Sequence, residues 1–258
     1  MEMKRKFKMG LIGLSAAFLV ACSSGSGDKL TVGTDAAYAP FESLDGDKIV
    51  GFDVELLDAV MKEAGLDYEL KNKGWDPLFI ALQNEEVDAG ISAITINDDR
   101  KKSYDFSSPY FESINMILAK EGTSIKSAKD LEGMKVSVQN GTTGQAALEK
   151  MFGKNENIKK YENNVLAIQA LLNGEVEAVV ADNAVVQEYE KNNPDKKLVT
   201  ISDKENFESE FYGIIFPKDG EHQEEINKAM KKIIDDGKYA EIYKKWFGEE
   251  PNVDVLKQ

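Results

Sequence analysis

Short β-rich runs alternate with segments of helical periodicity along most of the chain. Leu30–Thr34 reads as a strand, and Asp53 is expected to cap a helix whose apolar stripe ends at Gly65. Asp76–Pro77 is typical of a helix start, and Val87–Ile96 reads as a buried strand. This alternation predicts βα units and a mainly parallel sheet, which places the chain in the α/β class.

A weak internal repeat indicates that these units form two lobes. Ala81–Ile91 and Ala170–Val180 are identical at six of eleven positions, and each combines a helix end, a turn and a strand. The segments lie 89 residues apart, which is too long a period for a solenoid. Chance similarity between two ordinary helix–turn–strand units is the alternative. A chain of 258 residues is long enough for two such lobes with a cleft between them.

Charge and composition exclude several classes of function. Acidic residues outnumber basic ones by 46 to 32, and a formal charge of −14 argues against a nucleic-acid-binding protein. One Cys and one His exclude an internal disulfide and leave a Cys/His zinc site short of ligands. His222 lies in a polar stretch away from the other candidate residues. We therefore expect no catalytic residues, no metal and no cofactor.

The N-terminus has the layout of an export signal followed by a tether. Four basic residues within positions 4–8 precede Met9–Ala21, an uncharged run of 13 residues that is too short for a membrane span. The run ends in Leu19-Val20-Ala21-Cys22, which resembles the lipobox of bacterial lipoproteins. This resemblance predicts a signal peptide at residues 1–21 and lipidation of Cys22. Residues 22–29 would then tether the protein to the outer face of the cell membrane.

Polar side chains cluster directly after the predicted strands. Ligands of α/β sheets bind beyond the carboxyl ends of the strands, where loops from neighbouring strands meet. Such positions hold Asp35 and Tyr38, then Ser92, Thr95 and Arg100, then Gln139–Gly144, and finally Asp182. The sequence therefore predicts a polar ligand site in the cleft.

A series of short motifs, in one order along the chain, resembles a known family. The motifs are Gly33-Thr34-Asp35, Pro40-Phe41-Glu42, Gly51-Phe52-Asp53-Val54, Asp98–Lys102, Asp105-Phe106-Ser107, Gly141-Thr142-Thr143, Phe216-Pro217-Lys218 and Glu241–Gly248. Together they resemble the extracellular solute-binding proteins of polar amino-acid ABC transporters, family 3. The run Gly74–Phe79 is most similar to the branch that binds arginine, lysine and histidine.

The resemblance implies a two-lobed, periplasmic-binding-protein-like fold of type II. Two α/β lobes would be joined by two hinge strands, near Met116–Lys120 and Phe211–Phe216, with the ligand cleft between them. Lobe 1 would be discontinuous and comprise residues 29–117 and 214–258, whereas lobe 2 would comprise residues 118–213. We expect the protein to be a monomer.

The resemblance also implies how a free amino acid would be held by its two charged ends. The guanidinium of Arg100 would grip the carboxylate of the ligand, assisted by Thr95 and by a helix N-terminus at Thr143. The carboxylate of Asp182 would receive the ligand ammonium. The carbonyl of Ala93 and the side chain of Ser92 would complete that half of the site.

The side chain of the ligand would lie between the aromatic faces of Tyr38 and Trp75, with Asp35 at its far end. Gln139 would be a further contact in this part of the site. Asp35, a Trp at position 75 and the acidic surface favour a basic amino acid, arginine first and lysine or histidine next. Glutamine is the alternative, because a carboxylate at position 35 can also accept from an amide.

The implied function is ligand binding with closure of the lobes, followed by delivery to the membrane permease of an ABC importer. A sensor that uses the same cleft without transport is a second hypothesis. A dehydratase-like enzyme is a third, but the sequence contains no defensible catalytic set.

Overall fold

The computed structural model describes residues 29–257. The predicted signal peptide, the lipidation site at Cys22 and nearly all of the predicted tether lie outside the described residues. Every helix in the described part is too short or too polar to span a lipid bilayer.

Strands and helices alternate along the described chain, as the sequence pattern predicts. The strands are β1 Leu30–Thr34, β2 Ala37–Tyr38, β3 Glu42–Asp45, β4 Lys48–Val50, β5 Tyr68–Asn72, β6 Ala89–Gly90, β7 Tyr104–Phe106, β8 Phe111–Lys120, β9 Val136–Gln139, β10 Ile158–Tyr161, β11 Ala178–Asp182, β12 Leu198–Ile201, β13 Ser209–Tyr212 and β14 Ile215–Pro217. The α-helices are α1 Phe52–Ala64, α2 Trp75–Gln83, α3 Asp98–Lys101, α4 Thr143–Phe152, α5 Asn164–Asn173, α6 Asn183–Asn192, α7 Gln223–Asp235 and α8 Lys238–Phe247. Short 3-10 turns span Ala128–Leu131, Pro194–Lys196 and Val253–Leu256.

The first sheet takes its strands from both ends of the described chain. Its order is β5-β1-β6-β14-β7, with β1 parallel to β5 and β6, and β14 antiparallel to β6 and β7. Helices α1, α7 and α8 pack together with it, and Val32, Leu57, Met61, Met230 and Ile233 share one buried cluster. Burial of each such side chain contributes about 1.5–3 kcal/mol, so this cluster is the core of the first lobe.

The second sheet is built from one continuous stretch of chain. Its order is β10-β9-β11-β8-β12, with β9, β10 and β11 parallel and β8 antiparallel to β11 and β12. One buried cluster contains Leu148 and Val180, and another contains Leu171 and Val179. Adjacent residues of a strand point to opposite faces, so apolar side chains cover both sides of this sheet.

Two paired strands connect the lobes. Phe111–Ile114 of β8 pairs with Ser209–Tyr212 of β13, and the rest of β8 pairs with β11 and β12. Met116–Lys120, where the sequence analysis expects the first hinge, therefore lies within the second sheet, and the connecting ribbon begins earlier. Two α/β lobes confirm the predicted fold class. The lobe boundaries proposed from the sequence stay a prediction.

Two local predictions are wrong: the helix cap at Asp53 and the length of the strand over Val87–Ile96. Helix α1 begins at Phe52 after Gly51, so Asp53 does not cap it; the carboxylate is buried and accepts the backbone N–H of Ala93 at 2.8 Å. The strand predicted over Val87–Ile96 is reduced to β6, and it cannot continue through Ala93, whose φ of 47° a strand does not accommodate.

The start of α2 also differs from the prediction. The helix begins at Trp75 after Gly74, whose φ is 79°, so Asp76–Pro77 lies inside the first turn. Trp75 is therefore the first residue of the helix, whereas the predicted start at Asp76 would leave it on the preceding loop. The carboxylate of Asp76 accepts a hydrogen bond from Asn140 Nδ2 at 3.0 Å instead of capping the helix.

Gly51 is expected to tolerate no side chain. Its φ is 150°, and an added Cβ would lie 1.9 Å from the backbone oxygen of Phe41. Gly51→Ala should lower the free energy of unfolding by about 3 kcal/mol or more, because a clash with backbone adds to a strained φ. Gly65→Ala is the matched control, with a φ of 72° and no atom within 4 Å of the added Cβ; about 1–2 kcal/mol is expected. Urea unfolding followed by circular dichroism measures both, and equal losses would contradict the prediction.

Candidate functional site

The lobes face each other across a small, largely enclosed cavity. The first lobe lines it with Asp35, Tyr38, Trp75, Ser92, Ala93, Thr95 and Arg100, and the second with Gln139, Thr142, Thr143 and Asp182. The structure thus brings together all ten residues predicted for the ligand site, and it adds Thr142. Their contacts with a ligand stay a prediction.

Sheet geometry explains why distant residues meet here. Asp35 directly follows β1 and Ser92 lies just beyond β6, the parallel neighbour of β1; the Asp35 N–H donates to Ser92 Oγ at 3.1 Å. In the second lobe, Gln139 and Asp182 end the parallel neighbours β9 and β11, and Thr143 begins α4. The carboxyl ends of parallel strands in both lobes therefore open into the same space.

Arg100 is held in the cavity by backbone groups of both lobes. Asn97 caps the short helix α3, and its Oδ1 accepts the Arg100 N–H at 2.8 Å. In the guanidinium, Nη1 donates to the carbonyl of Thr95 at 2.8 Å and Nη2 to that of Gly141 at 3.3 Å. Burial lowers the pKa of Arg100 to about 10, so the group stays charged at neutral pH. Its five N–H donors leave capacity for an anionic ligand group.

The Arg100 guanidinium also contacts two aromatic rings. Its Cζ is 5.4 Å from the ring centroid of Trp75 and 5.4 Å from that of Phe79. The two rings meet edge to face, with centroids 4.9 Å apart. Within residues 29–257, the buried Nε1 of Trp75 has no hydrogen-bond partner. Trp75 therefore lines the cavity and also packs against Arg100. The contact with Arg100 was not predicted from the sequence.

Asp182 joins three parts of the chain. Its Oδ2 accepts a hydrogen bond from the Tyr38 hydroxyl at 2.7 Å and another from the hydroxyl of Tyr212 in β13. Asp182 stands at the N-cap position of α6, but its side chain does not cap that helix. Burial raises the pKa of Asp182, whereas the two hydroxyls and the charge of Arg100 oppose the shift.

Asp35 is a second buried carboxyl group in the cavity. Its Oδ2 accepts a hydrogen bond from Gln139 Nε2 at 3.2 Å. Burial raises the pKa of Asp35, the bond from Gln139 opposes the shift, and the charges of Glu162 and Asp76 add to it. A cation placed beside Asp35 would therefore relieve an electrostatic cost.

Glu210 is a third carboxyl group beside the cavity, and the sequence analysis misses it. Its Oε2 accepts hydrogen bonds from the hydroxyls of Thr95 at 2.9 Å and Thr143 at 2.7 Å, and its Oε1 accepts from Asn115 Nδ2 at 3.3 Å. Burial raises the pKa of Glu210, and the threonine hydroxyls oppose the shift. Glu210 and Tyr212 lie two residues apart in β13 and so face the same side, a signal that could have identified both.

Hydrogen bonds cross the cavity from one lobe to the other. They join Tyr38 to Asp182, Asp35 to Gln139, Asp76 to Asn140 and Arg100 to Gly141. Thr95 and Thr143 are linked across the lobes through Glu210. The structure is therefore a closed one.

The cavity carries more negative than positive charge. Asp35 and Asp182 are buried, Glu210 adjoins them, and Arg100 is the cation among the lining residues. Charges removed from water require compensation by opposite charge or hydrogen bonds. In the described part of the chain, no group of three or more His, Cys, Asp or Glu residues could hold a metal ion. The arrangement is suited to a small ligand that has a carboxylate and a net positive charge.

Comparisons with known proteins agree with this geometry. Residues 30–249 match the bacterial extracellular solute-binding proteins, family 3. A "Probable histidine-binding protein" of Neisseria gonorrhoeae is 40% identical over 97% of this chain and 98% of its own. The arginine-, lysine-, histidine-binding protein ArtJ of Geobacillus stearothermophilus is 63% identical, with a TM-score of 0.88 over 89% of this chain and 100% of that one. An ancestral arginine-binding protein bound to glutamine is 43% identical, with a TM-score of 0.80 over 86% and 98%.

Proposed function

Because the chain belongs to the bacterial extracellular solute-binding proteins of family 3, we propose that it binds a basic amino acid between its lobes and delivers it to the permease of an ABC importer. Arginine is the first candidate, and lysine and histidine follow. The observation that carries the proposal is the excess of carboxyl groups at the cavity: Asp35 and Asp182 line it together with Arg100, and Glu210 lies beside it. Similarity to ArtJ, whose name specifies these three amino acids, supports the same choice.

The ligand carboxylate would lie beside Arg100. Thr95 and Thr143 adjoin it from opposite lobes, and Thr143 begins the ten-residue helix α4. The N–H groups and dipole of a helix N-terminus favour an anion. Thr142 caps this helix by accepting the Gln145 N–H at 3.4 Å, which orients the first turn toward the cavity.

The ligand ammonium would bind at Asp182. The hydroxyls of Tyr38 and Tyr212 fix the orientation of this carboxylate, and its buried charge favours a cation. Ser92 and Ala93 line the same cavity, and the carbonyl of Ala93 is a suitable second acceptor.

The ligand side chain would extend along Trp75 and Tyr38 to Asp35. A guanidinium suits this path, because it stacks on aromatic faces and pairs with a carboxylate through two parallel hydrogen bonds. Gln139, already bonded to Asp35, would help to hold the carboxylate in place.

Glutamine is the second candidate ligand. Asp35 accepts a hydrogen bond from the amide of Gln139, so it can accept one from a ligand amide as well. The ancestral relative bound to glutamine is consistent with this reading. Glutamine has no net charge, however, and would leave the excess negative charge of the cavity without compensation. The charge balance therefore favours a basic amino acid.

Binding would act through the relative position of the lobes. Ligand contacts from both lobes add to the hydrogen bonds that already cross the cavity, so the ligand stabilises the closed form more than an open one. We further propose that the mature chain is a monomer, held on the outer face of the membrane by lipid on Cys22. A sensor using the same cleft is the alternative to transport. No catalytic role is assigned, because hydroxyl donors already engage Asp182 and Glu210.

A panel of the twenty amino acids tests the proposal directly. Arginine at about 100 times its dissociation constant should stabilise the chain lacking residues 1–27 by about 2.7 kcal/mol, or roughly 5–10 °C in Tm. Lysine and histidine should have smaller effects, and glutamine none. Thermal unfolding measures the shifts. Stabilisation by glutamine alone would contradict the basic-ligand assignment, and no stabilisation by any amino acid would contradict the function.

Asp35→Asn should separate charge recognition from amide recognition. Removal of the carboxylate charge should raise the Kd for arginine about 100-fold, or about 2.7 kcal/mol, and leave any glutamine binding within about threefold. Asp47→Asn, at an exposed position of the β3–β4 hairpin, is the matched control. Isothermal titration calorimetry measures both affinities. Unchanged arginine affinity in Asp35→Asn would contradict the proposed role.

Glu210→Ala should weaken closure, because Thr95 and Thr143 lose the acceptor that links them. We expect the Kd for arginine to rise about tenfold, since two hydrogen bonds to a charged acceptor are lost. Small-angle scattering should show a larger radius of gyration with ligand present than in the wild type. Glu210→Gln, which keeps an acceptor oxygen, should behave more like the wild type. Identical scattering and affinity in Glu210→Ala would refute the link.

A further inference from the structure

Glu42 and Asp53 form a buried acidic pair behind the cavity. Glu42 begins β3, Asp53 lies in the first turn of α1, and both side chains have no exposed surface. The two residues lie on neighbouring segments, because the Asp53 N–H donates to the carbonyl of Phe41, the residue before Glu42, at 3.0 Å. Among the described residues, the buried Glu42 Oε2 and Asp53 Oδ1 have no hydrogen-bond partner. Two carboxyl oxygens can satisfy each other only if one of the groups keeps its proton.

The outer oxygens of the pair show which member is the acid. Asp53 Oδ2 accepts from the N–H of Ala93 and from the Tyr110 hydroxyl, each at 2.8 Å. Glu42 Oε1 accepts only from Ser92 Oγ, at 2.7 Å. Asp53 therefore has the donors that stabilise an anion, whereas Glu42 is suited to donate.

We propose that Glu42 carries a proton and donates it in a hydrogen bond to Asp53, and that this pair positions Ser92 and Ala93 for the ligand. The ligand part of this inference rests on the proposed function. Glu42 and Asp53 do not line the cavity, so they are positioning residues that act through their neighbours.

The pair fixes the segment that would receive the ligand ammonium. Ala93 has a φ of 47°, which is unfavourable for a residue with a side chain. The bond from its N–H to Asp53 offsets that strain and sets the direction of the peptide. The bond from Ser92 to Glu42 leaves Ser92 Oγ to accept the N–H of Asp35. Three residues of the cavity therefore depend on the pair.

Electrostatics around the pair favour the shared proton. Burial raises the pKa of Glu42 well above its usual range, and the adjacent charge of Asp53 raises it further, against the bond from Ser92. The titratable groups that face the pair are Asp35, Tyr38, Tyr110 and Tyr239. All of these are acids or phenols, so they supply no positive charge that could compensate a second buried carboxylate.

The proton has a measurable effect on stability. Glutamate in an unfolded chain loses its proton near about pH 4.3, whereas folded Glu42 retains it to higher pH. Burial also raises the pKa of Asp53, to about 6. Above about pH 6 and below the folded pKa of Glu42, the folded state therefore binds one more proton than the unfolded state. Its stability falls as pH rises toward the folded pKa, and the unfolding constant increases about tenfold per pH unit from this group.

Glu42→Gln and Glu42→Ala test the inference. Glutamine retains a donor for Asp53 and an acceptor for Ser92 but does not titrate, whereas alanine removes both. The Kd for arginine at pH 6 should lie within about threefold of the wild type in Glu42→Gln and rise at least about 30-fold in Glu42→Ala. From about pH 6 to 8, the ratio of the wild-type unfolding constant to that of Glu42→Gln should rise with pH, by up to about tenfold per pH unit. The corresponding ratio for Glu156→Gln, at an exposed glutamate of the second lobe, should stay flat.

A flat ratio for Glu42→Gln would overturn the shared proton, and an arginine affinity in Glu42→Gln as poor as that of Glu42→Ala would overturn the positioning role. If the wild type binds no basic amino acid, the proposed function fails separately. The unfolding ratios then still decide the protonation. Amide exchange at Ala93, expected to be faster in Glu42→Ala than in Glu42→Gln, then decides the positioning.

Discussion

Two tyrosine hydroxyls meet on one oxygen of Asp182, and this contact makes the lobes depend on each other. Tyr38 belongs to the first lobe, Tyr212 to a connecting strand, and Asp182 to the second lobe. A buried carboxylate without donors would cost several kcal/mol, so the lobes cannot part unless water replaces these hydroxyls. The closed arrangement therefore depends on this contact.

Much of the site could be predicted from sequence because parallel sheets place their functional loops at one edge. Asp35, Gln139 and Asp182 each stand at the end of a β-rich run, and that placement holds in the structure. Helical periodicity over residues 144–152, 165–173, 184–191 and 224–236 also predicts α4 to α7 to within a residue of their observed limits. The resemblance to the family, rather than the pattern, accounts for the choice of Trp75 and Ala93.

The sequence could not show which residues, far apart along the chain, become hydrogen-bond partners in the fold. Asp53 precedes an apolar helical stripe and is indistinguishable from a helix cap until its partners, 40 and 57 residues away, are known. Glu210 lies in a polar segment, and its threonine partners are 115 and 67 residues distant. In each case burial decides the role of the carboxylate, and burial depends on the assembled fold. Glu42 appears within a recognised motif, yet its protonation has meaning only beside Asp53.

The position of β14 makes the two sheets depend on the chain in different ways. The strands of the order β10-β9-β11-β8-β12 all lie within residues 111–201, so one continuous stretch of chain supplies them. In the first sheet, β14 lies between β6 and β7, and it comes from residues 215–217. A chain cut short before residue 215 would therefore lose the strand between β6 and β7 and leave the first sheet open. Because the first lobe lines one side of the cavity, this loss would disturb the ligand site even though every lining residue would still be present.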